Sequence, residues 1–181
     1  MRRNGLLKRV VLSFLVFGLT LAPAADWGWA LMCQVDAPPV LSITDDVGPF
    51  TLSFPDFAGG SLSTVQVVVY RVQANNMAPG SIQGAVTAHL DSLFGDAELR
   101  ADVTGYANLG DPEFSTLSEA QGGFVTVQTT PVQLADKQPG DVCCDPCMDG
   151  TLTVLWQARL TGDAAAGSTT RTLTVTLRDG F

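Results

Sequence analysis

The strict alternation of residues 150–179 constrains this chain more than any other stretch. Leu152, Val154, Trp156, Ala158 and Leu160 are apolar, and three of the four residues between them, Thr153, Gln157 and Arg159, are polar; Leu155 is the exception. A break of turn formers over 161–169 follows. The pattern then resumes, with Leu173, Val175 and Leu177 on one side and Thr172, Thr174 and Thr176 on the other. Successive side chains of a strand point to opposite faces, so a period of two predicts two half-buried β-strands.

The same period runs upstream. A short strand is expected over 40–43, then a turn with Asp45-Asp46. Phe50, Leu52 and Phe54 alternate with Thr51 and Ser53 in a further strand that Pro55 stops. Residues 65–72 carry Val65, Val67 and Val69 on one face and Val68, Tyr70 and Val72 on the other, which predicts a central strand. Ile82, Gly84, Val86, Ala88 and Leu90 form an inner face, with His89 outside. Ala97, Leu99, Ala101 and Val103 alternate with Glu98, Arg100, Asp102 and Thr104. Asp111-Pro112-Glu113 reads as a helix start, with Phe114, Leu117 and Ala120 on one side and Gly122-Gly123 as the stop. Residues 124–129 form a strand, and Pro131 marks an edge or bulge before Val132 and Leu134. Residues 135–149 read as a long polar loop holding Cys-Cys-Asp-Pro-Cys. The expectation is an all-β, antiparallel, immunoglobulin-like Greek-key sandwich of seven to eight strands with one short helix.

The first residues read as an export signal. Arg2, Arg3, Lys8 and Arg9 precede an apolar run over 10–21, and Ala22-Pro23-Ala24 fits the small-x-small cleavage rule. Gly28-Trp29-Ala30 is a second possible cleavage site. The apolar run is shorter than the roughly 20 residues of a spanning helix, so no stable membrane insertion is expected after cleavage. Met32 before Cys33 does not fit a lipoprotein signal. The organisation is a signal peptide over 1–24, an extended segment over 25–38 and a sandwich domain over 39–181. Cleavage leaves 18 acids against six bases, a net charge of −12. That excludes the basic surface that nucleic acid and anionic lipid require. It suits a secreted, periplasmic or cell-surface protein.

Four cysteines in an exported chain imply disulfides. They are Cys33, Cys143, Cys144 and Cys147. A bridge between the neighbours Cys143 and Cys144 is strained, so Cys33 bonds one of that pair and Cys147 the other. Cys144 and Cys147 also have C-x-x-C spacing, but in a loop between strands rather than at the helix start a redox site needs. His89, the lone histidine, falls in mid-strand on a polar face, and no G-x-S-x-G motif exists. Asp141, Asp145 and Asp149, with Asp45-Asp46 elsewhere, supply calcium-type oxygens but no loop motif. No cofactor, metal or catalytic activity is expected. Phe181 ends the chain in the manner of an outer-membrane barrel, but the apolar inner faces do not suit a polar lumen.

Residues 25–35 carry a strand-like stripe, Trp27, Trp29, Leu31, Cys33 and Val35, with two of the three tryptophans. Together with the signal, the early Cys33 in Cys-Gln-Val, the Thr/Val-alternating strands and the closing Thr172-Leu-Thr-Val-Thr-Leu177, it resembles a bacterial pilin-type or spore-coat-U-type secreted subunit. That resemblance implies polymerisation, the N-terminal strand of one subunit filling a groove in the next. Pilins of this type pair their early cysteine within the first part of the domain, whereas partners here lie only at 143–147. Trp27, Trp29 and Leu31 are the expected anchors of a donated strand, with the chain itself or another surface subunit as partner. The competing expectations are self-packing of this segment as the domain's first strand, and a monomeric binding module. Such a module takes a glycan or protein through loops 105–122 and 135–149.

Overall fold

The computed structural model describes residues 39–141 and 145–180. The signal segment, the stripe with Trp27, Trp29 and Leu31, and Cys33, Cys143 and Cys144 lie outside the described residues. Among the described residues nine strands follow in order: β1 Leu41–Asp45, β2 Gln66–Ala74, β3 Ile82–Leu90, β4 Ala97–Asn108, β5 Thr116–Glu119, β6 Val125–Val127, β7 Val132–Gln138, β8 Met148–Leu160 and β9 Leu173–Leu177. They form two antiparallel sheets, in the orders β1-β2-β8-β4-β6 and β5-β7-β3-β9. The all-β sandwich predicted from the alternation is therefore present, with nine strands rather than seven to eight. Its pairing is nested: β2 with β8, β3 with β7, β4 with β6, and β5 at the tip. An antiparallel ribbon rolled up in this way is the jelly-roll form of the Greek key.

β8 is the spine. All its even-numbered residues from Met148 to Leu160 are buried, and Trp156 is 0% exposed. It pairs with β2 along one side and β4 along the other. β4 keeps the predicted odd-residue inner face through Val103. A bulge between Val103 and Gly105 then moves the phase by one, so that Tyr106 packs on the core. β3 bulges between Ile82 and Val86, where Gly84 takes φ +60° and its N–H donates to Asp136 Oδ1 at 2.7 Å. Only glycine adopts that backbone without strain. β2 is interior, as expected, but only Val68, Tyr70, Val72 and Ala74 face the core; Val65 and Val67 are exposed on the outer face.

Three expectations need correction. The short helix is absent, and no helix occurs among the described residues. Asp111 does act as a cap: its Oδ1 accepts from Glu113 N–H and its carbonyl from Phe114 N–H. The next amide, Ser115, instead donates to Cys147 O at 2.9 Å, and the chain leaves as β5 beside β7. A tertiary hydrogen bond thus overrides a local helix signal, since pattern and capping are weak against packing. The segment 50–54 keeps its alternating burial but forms no strand. Phe50 stacks on Trp156 at 6.4 Å, and Thr64 N–H reaches Ser53 O, so it closes the side of the core. The polar loop is shorter than 135–149, because β7 runs to Gln138 and β8 begins at Met148.

Candidate functional site

The described chain begins at one end of the sandwich. Val40 N–H donates to Asn75 Oδ1 at 2.6 Å, and Asn75 N–H returns to Val40 O at 3.1 Å. Ala74 pairs with Met148, so this point adjoins Cys147. The same end gathers the two segments expected as binding loops. Leu109 N–H donates to Asp149 O and Asp141 N–H to Glu113 O, both at 2.8 Å, while Met77 N–H reaches Pro146 O at 3.2 Å. Residues 75–81, 109–115, 139–141 and 145–147 form one surface around the point where the described chain enters at Pro39.

A buried ion pair fastens that surface. Lys137, on β7, is 0% exposed. Its Nζ donates to Asp145 Oδ1 at 2.8 Å, Gly80 O at 2.7 Å and Ala78 O at 3.1 Å. Three donors meet three acceptors, which makes a buried ammonium tolerable. Asp145 Oδ2 accepts from Gly80 N–H, and Ser115 Oγ lies against both the Asp145 carbonyl and its carboxylate. Burial alone raises the Asp145 carboxyl. The hydrogen bonds from Lys137 and Gly80, the Lys137 charge and the Ser115 hydroxyl outweigh it and hold the group below the ordinary carboxylate value. These groups are saturated and closed to substrate, so their arrangement locks loops and offers no nucleophile. Sequence reading took Asp145 only as a spare oxygen. Nothing local marks Lys137, whose acceptors come from the β2–β3 loop and the Cys-rich loop.

The remaining candidates separate. Cys147 is buried, and burial pushes its thiol up; its expected partners lie outside the described residues. His89 is half-buried on β3 opposite Thr174, away from Lys137 and Asp145. The aspartates do not converge: Asp149 pairs with Arg71, and Asp45 Oδ1 accepts from Gly48 N–H. Among the described residues no group of three metal-ligating side chains occurs. No described helix is long and apolar enough to cross a membrane.

The opposite end holds a cleft of about 380 Å³ between the β3–β4 turn, β4 and β6. Leu90, Leu93, Phe94, Leu99 and Val127 supply apolar walls, with Glu98 beside them. Leu93 is 57% exposed at the mouth. Glu98 holds Arg159 at 2.8 Å and accepts from Thr126 Oγ1 at 3.3 Å. The Arg171 guanidinium lies 5.4 Å from the Phe94 ring centre, and its Nε donates to Leu93 O at 3.1 Å. Sequence reading missed this cleft because three separate elements build it. Only Leu93-Phe94, an apolar pair in a turn, signals it. No family model, characterised protein or solved structure matches this chain.

Proposed function

We propose that this chain is an exported structural subunit of a surface assembly, joined to its neighbours by its N-terminal segment. The observation that carries this reading is the weakness of β1. Most of the core comes from β2, β3, β4, β7 and β8, with Leu117, Val127 and Leu177 from β5, β6 and β9, whereas β1 is a five-residue edge strand that adds only the partly buried Ile43 and whose Leu41 is 44% exposed. The apolar stripe of Trp27, Trp29 and Leu31 lies upstream of that marginal strand. An extended apolar segment beside open sheet edges suits strand addition, in which main-chain hydrogen bonds supply affinity and alternate side chains the specificity. The signal peptide, the net charge of −12 after cleavage and the resemblance to pilin-type and spore-coat-U-type subunits support the same reading. Cys33 is seven residues from Val40, which abuts the Cys147 end, so the proposed bridge to loop 139–147 is within chain reach.

The fused loops 109–115 and 139–147 favour a second reading, a monomeric binding module using that end. N-terminal sequencing of the exported product, with light scattering under non-reducing conditions, separates the two. A product starting at Ala25 that forms a series of salt-resistant oligomers supports assembly. A monomer with two internal disulfides transfers the weight to the binding module.

A further inference from the structure

We infer that the cleft walled by Leu93, Phe94 and Leu99 is the acceptor for a tryptophan of the N-terminal segment of a second copy, so that subunits join head to tail. This rests on the assembly reading above and names the surface that performs it.

Chain geometry selects a second copy over the segment's own domain. Leu41 pairs with Ala74, and Ala74 with Met148, the first residue of the 13-residue β8. The cleft lies at the other end, where Ala97 and Leu99 pair with Leu160 and Ala158. Those ends are separated by roughly 35–40 Å along the strand, plus roughly 14 Å across the three lanes from β1 to β4. Trp29 precedes Pro39 by ten residues and reaches at most roughly 35 Å when fully extended. β1 enters at the Ala74 end and runs inward, so the described chain begins at the end away from the cleft. The segment of an adjoining copy has no such limit.

The chemistry fits as well. A cleft of about 380 Å³ falls within the size of sites that hold one compact apolar group. An indole fills apolar walls while its N–H needs an acceptor, and the polar residues Glu98, Thr126 and Gln128 are among those lining the cleft. Asp26, next to Trp27, has a cationic counterpart in Arg171 at the mouth, above Phe94. The start of the described chain and the cleft lie at opposite ends of one molecule. The contact is therefore heterologous, and it propagates as an open chain unless its rotation closes a ring.

The test compares three forms of the exported protein by light scattering: wild type, Leu93→Asp, and Trp27→Ala/Trp29→Ala. Leu93→Ser serves as a milder acceptor variant, and circular dichroism checks that each folds. Wild type is expected to form a series of oligomers and each variant alone a monomer. An equimolar mixture of Leu93→Asp with Trp27→Ala/Trp29→Ala is expected to stop at dimers, because each pair then has one competent contact. Wild-type-like oligomers in both Leu93 variants, lost only in the tryptophan variant, overturn the cleft as acceptor but leave assembly through the segment standing. A monomeric wild type starting at Ala25, or a mature start after Ala30, overturns both.

Discussion

Lys137 is stripped of water and surrounded by the carbonyls of Ala78 and Gly80 and the carboxylate of Asp145. Asp145→Asn leaves that ammonium without its counter-charge, and breaking a buried pair on one side costs about 3–5 kcal/mol. Urea unfolding monitored by tryptophan fluorescence is expected to show a loss of that size. The same carboxyl gives a pH dependence. Its folded value is depressed, so its contribution is complete above the unfolded carboxylate value of roughly 3.9 and is lost as pH falls through the folded value. Stability of the wild type is expected to fall below about pH 4 more steeply than that of Asp145→Asn. A parallel pH slope in the two proteins contradicts this role. Little of this was legible in advance. Asp145 sits in a loop whose cysteines draw attention, and a lysine beside Asp136 reads as solvated surface. The bulges at Gly84 and Gly105 carry a weak signal, each glycine interrupting an alternating run.

Strands with one long, unbroken period were read correctly. β8 and the first half of β4 follow their alternation residue by residue, because each has one face on the core and one outside. Trp156, the largest fully buried side chain, is the centre of that face. Trp156→Ala is expected to cost about 3–5 kcal/mol by leaving a cavity against Phe50, measured by chemical denaturation. β5 was misread: four residues are too few for a period to declare itself, and the cap at Asp111 outvoted them, whereas the three-residue β6 falls inside the strand expected over 124–129. Gly140 illustrates the packing that sequence cannot foretell. A Cβ there falls inside contact distance of the Glu113 carbonyl and the Phe114–Ser115 peptide, so Gly140→Ala must separate loops 109–115 and 139–147. A loss above about 1 kcal/mol is expected, and an unchanged midpoint contradicts the fit.

The whole molecule places two unlike ends about one strand length apart. One gathers the N-terminal side of the domain, the buried ion pair and the cysteine loop; the other carries the apolar cleft with Leu93 exposed. A subunit with a segment leaving one end and a receptor at the other assembles in one direction. The proposed bridge from Cys33 fixes the root of that segment and closes a loop of about 110 residues, for which the chain-entropy model gives roughly 4–5 kcal/mol. Reduction is expected to lower the unfolding midpoint, and an unchanged midpoint removes the bridge. The fold class was legible because alternation extends over most of the domain. The proposed acceptor cleft was not, because its walls come from elements distant in sequence. The most direct measurement is the native molar mass of the protein under non-reducing conditions, wild type beside Trp27→Ala/Trp29→Ala. Multiples of the subunit mass in the wild type that collapse to one subunit in the variant are the predicted result. The same single-subunit mass in both, from a chain that begins at Ala25, contradicts assembly through the N-terminal segment.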